Sequence, residues 1–310
     1  MKILITGALG HIGSRLSREL AKYSGVSEIV LVDNLMTLRY PSLFNLPKNI
    51  RYRFIEADIR SHDLLSEIET SEVVIHLAAI TDASSSFNNA REVEENNFYS
   101  TSKIANSCAK VGTRLIMLSS TSVYGTSESL VSEDSPHYVL KPQSPYAETK
   151  LKEEELVAEL RTTKKLNAIR CRFGTIYGTS PGMRFHTAVN KFCWQAVTNQ
   201  KITVWQTAYE QKRPYLDISD ACRAIIFIIR QNIFDGSIYN ILTENATVKT
   251  VIDEIRGYKP SLQIEFVHNP IMNQLSYEVS NEKIISKGFE FHGNLKRGIS
   301  ETMTLMGSLK

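Results

Sequence analysis

The residues best suited to proton transfer in this chain are a tyrosine and a lysine four positions apart, Tyr146 and Lys150. Ser144 is a good helix N-cap and Pro145 a good first helical residue, so a helix should begin here. Tyr146 and Lys150 would then share one face of that helix. An ammonium group beside a phenol lowers the phenol's pKa from its usual value of about 10. Such a phenol can take a proton from a substrate hydroxyl while hydride leaves the same carbon, and a serine hydroxyl holding the oxygen would complete the arrangement.

The same spacing occurs a second time, at Tyr99 and Lys103. Tyr99 lies within a stretch of helical pattern at 91–111, where a tyrosine more often packs or faces solvent. Tyr146 instead follows a run rich in serine and threonine, 119–122, at the end of an apolar strand pattern. The context therefore favours Tyr146 over Tyr99 as the reactive group.

The amino-terminal stretch of this sequence has the pattern of a dinucleotide site. A run of β-formers at 2–6 leads into Gly7, Gly10 and Gly13, and a helical pattern follows. The first glycine allows a tight turn, the second lets the backbone approach a pyrophosphate, and the third permits close packing of helix on strand. The pyrophosphate would sit at the helix N-terminus, where unpaired N–H groups favour negative charge.

An acidic residue stands at the position that such a site requires. The strand pattern 28–32 ends at Asp33, twenty positions after Gly13, which suits a carboxylate that binds the adenosine ribose. A carboxylate there repels a 2′-phosphate, so we expect NAD rather than NADP. Arg39 keeps the alternative open, because a nearby arginine can accommodate the extra phosphate.

Strand patterns alternate with helical patterns through the first half of the chain. The strands are expected at 2–6, 28–32, 51–56, 72–77, 113–119 and 167–173. This alternation predicts an α/β fold, a Rossmann-like doubly wound parallel sheet, with the site at the carboxyl ends of the strands. After residue 174 the regularity fades, which predicts a dinucleotide-binding domain at 1–174 and a smaller, discontinuous α+β substrate lobe at 175–310. The segment 215–240 is expected to return to the first domain.

Composition excludes several classes of function. The chain has 310 residues, 42% of them hydrophobic and 22% charged, with a net charge of +3, which does not indicate nucleic-acid binding. No apolar run is long enough to cross a membrane, and no basic leader precedes the first strand. The four cysteines lack metal-ligand spacing and are typical of buried thiols in a reducing compartment. We therefore expect a cytoplasmic protein without a metal site.

Taken in order, these motifs resemble those of the extended short-chain dehydrogenases/reductases, in the nucleotide-sugar epimerase/dehydratase branch. The resemblance covers nearly the whole chain. The residues that carry it are Thr6-Gly7-x-x-Gly10-x-x-Gly13, Asp33, Asp58-Ile59, His76-Leu77-Ala78-Ala79, Asn97, Ser119-Ser120, Tyr146-x-x-x-Lys150 and Arg172-Phe173-Gly174-Thr175-Ile176-Tyr177-Gly178.

The resemblance implies roles for individual residues. Ser120, Tyr146 and Lys150 would be catalytic, with Lys150 also holding the nicotinamide ribose. The implied NAD contacts are Gly7, Gly10, His11, Ile12, Gly13, Asp33, Asn34, Asp58, Ile59, Leu77, Ala78, Ala79, Asn97, Ser119, Tyr146 and Lys150, with no side-chain role given to His11. The implied substrate contacts are Thr81, Ser120, Thr121, Thr175, Arg184, Asn190 and Arg213, the last on the substrate diphosphate, for which a planar guanidinium is well suited.

Three departures from the family pattern bear on the reaction. Dehydratases and decarboxylases of this branch usually carry an acid where this chain has Ser122, so water elimination lacks its usual acid. Thr175 replaces a common asparagine. The segment 180–184 is similar to a subgroup that contains sugar-nucleotide C4 dehydrogenases as well as epimerases.

The resulting hypothesis is an NAD-dependent nucleotide-sugar epimerase that acts through a transient 4-keto sugar. The alternatives are a nucleotide-sugar C4 dehydrogenase or ketoreductase with net redox change, and a dinucleotide-sensing regulator without catalysis. The resemblance also implies a homodimer formed through the helices at 91–111 and 145–163. The sequence does not identify the sugar, the nucleotide or the position of the stereochemical change.

Overall fold

A computed structural model describes residues 1–82, 85–125, 130–267 and 276–307. No described helix is long and apolar enough to cross a membrane. The helices are α1 His11–Leu20, α2 Leu65–Glu69, α3 Ala90–Val111, α4 Pro145–Lys164, α5 Ala188–Val197, α6 Ile218–Arg230, α7 Val248–Tyr258, α8 Glu282–Ile285 and α9 Leu295–Met306. The strands are β1 Lys2–Thr6, β2 Glu28–Asp33, β3 Arg51–Glu56, β4 Val73–His76, β5 Arg114–Ser120, β6 Leu130–Val131, β7 Ala168–Phe173, β8 Thr175–Tyr177, β9 Ile202–Trp205, β10 Lys212–Asp217, β11 Ile238–Ile241, β12 Glu244–Thr247, β13 Ile264–Val267 and β14 Glu278–Val279.

The main sheet has seven parallel strands in the order β11-β7-β5-β4-β1-β2-β3. Its six strands before β11 match the strands predicted from the sequence to within one residue at each end. The fold prediction, a doubly wound parallel sheet, is therefore confirmed. The strand order changes direction around β1 and β4, which is where an open sheet of this kind leaves a crevice for a ligand.

Helices cover both faces of this sheet because alternate strand residues point in opposite directions. Ile3 and Ile5 of β1 pack with α1 and α6 on one face. Leu4 of the same strand packs with α3 and α4 on the other. Both faces are buried, which explains the nearly continuous apolar runs in β1, β2, β4 and β5.

The rest of the chain builds smaller sheets and a separate core. Strands β12, β10 and β8 form one sheet, and β13 pairs with β9. Helices α5, α7 and α9 pack together over these strands around Ile202, Val251 and Ile299. The chain returns to the main sheet in α6 and β11, the latter pairing with β7. The boundary between two domains at residue 174 stays a prediction.

A buried polar network joins α4 to the two strands beneath it. Both oxygens of the Glu154 carboxylate receive hydrogen bonds from the Arg172 guanidinium, at 2.9 and 2.7 Å, and the Ser119 hydroxyl donates to one of them. Arg172 also donates to the Tyr124 hydroxyl at 2.7 Å, which in turn donates to Asn240 of β11. A paired and hydrogen-bonded arrangement is the condition under which charges are buried without a large cost. The network therefore fixes α4 against the carboxyl end of the sheet.

We predict that Glu154→Gln lowers the free energy of unfolding by about 3–5 kcal/mol, because it leaves the buried Arg172 without a carboxylate. The matched control is Glu155→Gln, one position along the same helix but exposed, which should change that energy by less than about 0.5 kcal/mol. Urea unfolding followed by circular dichroism measures both. Equal effects of the two substitutions would contradict the role given to this network.

Candidate active site

A cavity of about 480 Å³ opens at the carboxyl ends of β4, β5 and β7, between the main sheet and the smaller sheets. It is lined by many of the residues that the sequence singles out. They are Ile12, Leu77, Ala79, Thr81, Ser119, Ser120, Thr121, Tyr146, Lys150, Thr175, Arg184 and Arg213. The sheet topology thus brings segments more than two hundred positions apart in the sequence into one site.

Helix α4 presents the tyrosine and the lysine to this cavity. It begins at Pro145 as predicted, because the Ser144 side chain accepts a hydrogen bond from the backbone N–H of Ala147 at 3.2 Å. Lys150 Nζ lies 6.0 Å from the centroid of the Tyr146 ring and donates to the Leu118 carbonyl oxygen at 3.1 Å. These contacts hold the ammonium group beside the phenol.

Lys150 is charged despite being buried. Burial alone would lower its pKa, but the carboxylate of Glu153, whose Oε2 lies 2.9 Å from Nζ, and the nearby Tyr146 raise the pKa above its usual value. These interactions therefore favour the charged form of the lysine.

The Ser120 hydroxyl is oriented by its neighbour. Its oxygen accepts hydrogen bonds from the Ser122 backbone N–H at 3.2 Å and from the Ser122 hydroxyl at 2.9 Å. Because the oxygen already accepts two hydrogen bonds, its own proton is available for a substrate oxygen in the cavity. Ser122 therefore acts on Ser120 in this structure.

The glycine turn between β1 and α1 has the geometry that its sequence predicts. Gly7 adopts a φ of +63°, and a Cβ there would lie 2.6 Å from the backbone nitrogen of Ala78. A Cβ on Gly13 would lie 2.6 Å from the Ala8 carbonyl oxygen. Both positions require glycine, the first for its conformation and both for close backbone approach.

The start of α1 fits the pyrophosphate of a dinucleotide. Its N-cap is Gly10, no side chain caps the helix, and its first turn contains no acidic residue, all within the described range 1–82. At the end of β2, Asp33 accepts hydrogen bonds from the backbone N–H groups of Leu9 and Leu35, one on each oxygen. These bonds keep the carboxylate at the edge of the turn with lone pairs left for ribose hydroxyls.

The segment 179–184 lies over the glycine turn. Gly182 donates its N–H to the Ser14 hydroxyl at 2.9 Å, and a Cβ on Gly182 would lie 2.2 Å from the Leu9 carbonyl oxygen. Ser180 Oγ is 2.7 Å from His11 Nδ1. Farther along, Arg184 donates to the Thr81 hydroxyl at 2.6 Å, which joins the segment to the loop after β4. Burial and the nearby Arg184 lower the pKa of His11 well below its usual value, so this ring is neutral.

The charges of the cavity favour an anionic ligand. Arg184, Lys191 and Arg213 line it, whereas among the described residues Asp82 is its only acidic lining residue. The Arg213 guanidinium lies 5.4 Å over the Tyr277 ring and donates to Gln211. A diphosphate is the kind of group that such a set of cations would bind.

Several predicted contact residues lie away from the cavity lining. The amide of Asn97 is bonded to both backbone groups of Ile80, and that of Asn190 to Gly178 and to the Arg184 carbonyl oxygen. Both side chains are buried and hold loops in shape, and the substrate contact of Asn190 stays a prediction. Of the remaining predicted cofactor contacts, His11 lies under the segment 179–184, Asp33 ends β2 and Asn34 follows it, and Asp58 and Ile59 follow β3.

The competing pair Tyr99 and Lys103 lies outside the cavity. Tyr99 is 59% exposed on α3, and Lys103 Nζ donates to the carbonyl oxygens of Arg60 and His62. Arg39, the arginine that could accommodate a 2′-phosphate, does lie near this site. Its guanidinium approaches both Asp33 and Gly10.

Sequence reasoning missed other residues of the site. Asp82, Lys191 and Trp205 line the cavity, and Glu153 bonds to Lys150. The first three belong to no motif, and only the folded chain brings them near Tyr146. Glu153 had a signal in the sequence, because a residue three positions after a helical lysine lies within its reach.

The sequence of this chain is similar to those of known proteins. The sequence model of the NAD dependent epimerase/dehydratase family matches residues 3–241. The chain belongs to this family. Membership confirms the resemblance predicted from the motifs, and with it an NAD-dependent enzyme.

Individual members of the family are similar over most or all of this chain. A Bacillus subtilis protein described as an uncharacterized UDP-glucose epimerase is 32% identical over 274 residues, 84% of each chain. An Arabidopsis thaliana trifunctional UDP-glucose 4,6-dehydratase/UDP-4-keto-6-deoxy-D-glucose 3,5-epimerase/UDP-4-keto-L-rhamnose-reductase is 29% identical over 97% of this chain. This chain spans about half of that plant protein, 46% of its length. The solved structure of the Bacillus cereus UDP-glucuronic acid 4-epimerase with UDP-glucuronic acid and NAD is 26% identical, covers 100% of both chains and has a TM-score of 0.87.

We predict that Gly182→Ala weakens NAD binding about tenfold, equivalent to about 1.4 kcal/mol, because the new methyl group forces the carbonyls of the glycine turn apart from the segment 179–184. Gly257→Ala in α7 is the control, since no atom lies within 4 Å of a Cβ built there. Calorimetric titration with NAD measures both variants. An unchanged dissociation constant in the Gly182 variant would show that this contact does not support the cofactor site.

Proposed function

We propose that this protein is an NAD-dependent nucleotide-sugar epimerase that inverts a hexose carbon through a transient 4-keto sugar. The observation that carries the proposal is the joint placement of Ser120, Tyr146 and Lys150 on one cavity, with a hydroxyl group rather than a carboxylate at position 122. Membership of the epimerase/dehydratase family supports the same reaction class.

Three residues of the cavity would have separate roles in this reaction. Tyr146, as phenolate, accepts the proton of the sugar 4-hydroxyl, while Ser120 donates a hydrogen bond to the same oxygen. Lys150 favours the phenolate by its charge and has one N–H left for the cofactor ribose, after those given to Leu118 and Glu153. NAD, when bound, supplies the acceptor for the C4 hydride and the donor that returns it.

The proposed reaction is redox-neutral, since the same hydride and the same proton return to the sugar. After the 4-keto sugar rotates in the cavity, its opposite face receives the hydride and Tyr146 returns the proton to the oxygen. The balance requires no external oxidant.

Position 122 argues against water elimination. Loss of a hydroxyl group needs a general acid to protonate it, and the Ser122 hydroxyl is a poor one, with its proton engaged on Ser120. Asp82 is the acidic residue that lines the described part of the cavity; it lies on the loop after β4, and its charge acts on Arg184.

The cations of the cavity support a nucleoside diphosphate as the group that anchors the sugar. Arg213 and Arg184 offer planar donors suited to phosphate oxygens. UDP-hexoses come first among the candidates, because the Bacillus cereus epimerase structure contains UDP-glucuronic acid and the Bacillus subtilis relative is described as a UDP-glucose epimerase.

The proposal extends to a cytoplasmic homodimer. Helices α3 and α4 pack side by side, with Glu94 of one paired to Lys152 of the other at 2.6 Å, and they would pair again with a second copy. All four cysteines are buried and unpaired, which suits a reducing compartment.

The first test is incubation of the purified protein, without added cofactor, with UDP-, GDP-, dTDP- and CDP-hexoses, followed by chromatography and mass spectrometry. We expect a new isomer of unchanged mass from one nucleotide series. Loss of two hydrogens with accumulation of NADH would replace the proposal with a dehydrogenase. Loss of water would show that another group does the work of the missing acid.

We further predict that Tyr146→Phe lowers kcat by about 10²–10⁴-fold while NAD affinity changes little, because only the proton acceptor is lost. Tyr99→Phe is the matched control, since Tyr99 has the same spacing to a lysine but is exposed on α3. Turnover is followed by chromatography of the product, and NAD binding by calorimetry. Full activity in the Tyr146 variant would refute the assignment.

A further inference from the structure

A second buried carboxylate lies next to the catalytic lysine. Glu153 Oε2 is 2.9 Å from Lys150 Nζ, and the side chains are 0% and 5% exposed. The other oxygen, Oε1, accepts no hydrogen bond from any described residue. The hydrogen bond to Lys150 is therefore the contact of this carboxylate that the described residues provide.

Glu153 differs from its neighbour Glu154 in what it contacts. Both oxygens of Glu154 are bonded to Arg172, and Ser119 adds a third hydrogen bond. Glu154 and Arg172 therefore form a neutral structural pair. Among the described residues Glu153 bonds to Lys150 alone, and its charge acts on the group that stands beside Tyr146.

Of the two carboxylates that act on Lys150, Glu153 acts more strongly, and Glu154 acts more weakly because it is paired with Arg172. From β4, His76 is fully buried and neutral, because burial and the charge of Lys150 lower its pKa to about 3. From the segment 179–184, the Arg184 guanidinium acts on Tyr146 with positive charge, and Asp82 acts on Arg184 in turn. Both cations that act on Tyr146 favour its phenolate, and Glu153 opposes one of them at close range.

We propose that Glu153 is a positioning residue that holds the Lys150 ammonium and sets, through it, the pH at which Tyr146 gives up its proton. The proposal rests on the use of Tyr146 as the proton acceptor, but not on the identity of the sugar or on the net reaction. By offsetting part of the lysine charge, Glu153 keeps the phenol protonated to higher pH than an unpaired lysine would. The phenol then returns its proton more readily in the second half of the reaction.

The direction of the expected pH shift follows from the charges of Glu153 and Lys150. Lys150 is held in its charged form, so the measured transition is the loss of the proton of Tyr146. Removing the negative charge of Glu153 leaves the positive charge of Lys150 unopposed beside the phenol, which favours the phenolate. That loss must therefore move to lower pH.

The test compares wild type with Glu153→Gln, Glu153→Asp and Glu155→Gln. Tyrosinate absorbance is titrated in the NAD-loaded protein, with the same titration of Tyr146→Phe subtracted, and the acid limb of kcat/KM is measured with any substrate that turns over. We expect Glu153→Gln to move both the tyrosinate transition and the acid limb down by about one pH unit. Glu153→Asp, which keeps the charge, and Glu155→Gln, which alters an exposed neighbour, should retain the wild-type values.

Two outcomes would overturn the proposal. An unshifted tyrosinate transition in folded Glu153→Gln would make Glu153 a structural residue, and an upward shift would mean that it serves only to keep Lys150 protonated. Thermal unfolding establishes that each variant is folded, and Glu153→Met, uncharged and of similar size, is used if the Gln variant is not. A subtracted signal of zero in wild type would instead show that Tyr146 is not the titrating group, which is a failure of the proposed function.

Discussion

The carboxylate of Glu154 is the contact on which the geometry of the site depends. It receives hydrogen bonds from Ser119 at the end of β5 and from Arg172 on β7, and it belongs to the helix that carries Tyr146 and Lys150. One buried group thus fixes the serine strand, the neighbouring strand and the tyrosine helix relative to one another. Catalytic groups must be held to within a fraction of an ångström, and a buried ion pair with its hydrogen bonds satisfied can provide that rigidity.

A second constraint acts through the backbone. Gly7 meets Ala78, and Gly182 meets the carbonyl oxygens of Leu9 and Gly10, at distances where no Cβ fits. The loop after β4 and the segment 179–184 are thereby closed onto the glycine turn from two sides. Since Arg184 ends that segment and bonds to Thr81, the same contacts place a cation at the cavity. The glycine turn and the cavity are therefore connected through the segment 179–184.

The sequence predicted what depends on local pattern. The alternation of apolar strands and helices gave the parallel sheet, because each strand is buried on both faces and each helix has one apolar face. The start of α4 followed from Ser144 and Pro145, since capping acts within one turn. The partners of Asn190 could not be predicted in this way. The loop at 178–184 folds back and uses its amide for three backbone hydrogen bonds, which no local pattern indicates. Asp82 and Trp205 reach the cavity through tertiary packing, which no local pattern encodes.

Glu153 and Glu154 are adjacent in α4 but contact different cations. Consecutive helical residues point about 100° apart, so one carboxylate reaches Arg172 and the other reaches Lys150. Each cation is matched by its own anion, so the two buried pairs are neutral as a group. In the low-dielectric interior an unmatched cation would act strongly on every titratable group nearby. The charges around Tyr146 are therefore those of Lys150 and Arg184 on one side and of Glu153, acting through Lys150, on the other. A balance of this kind can be changed by a single side chain, and under the proposal above that side chain is Glu153.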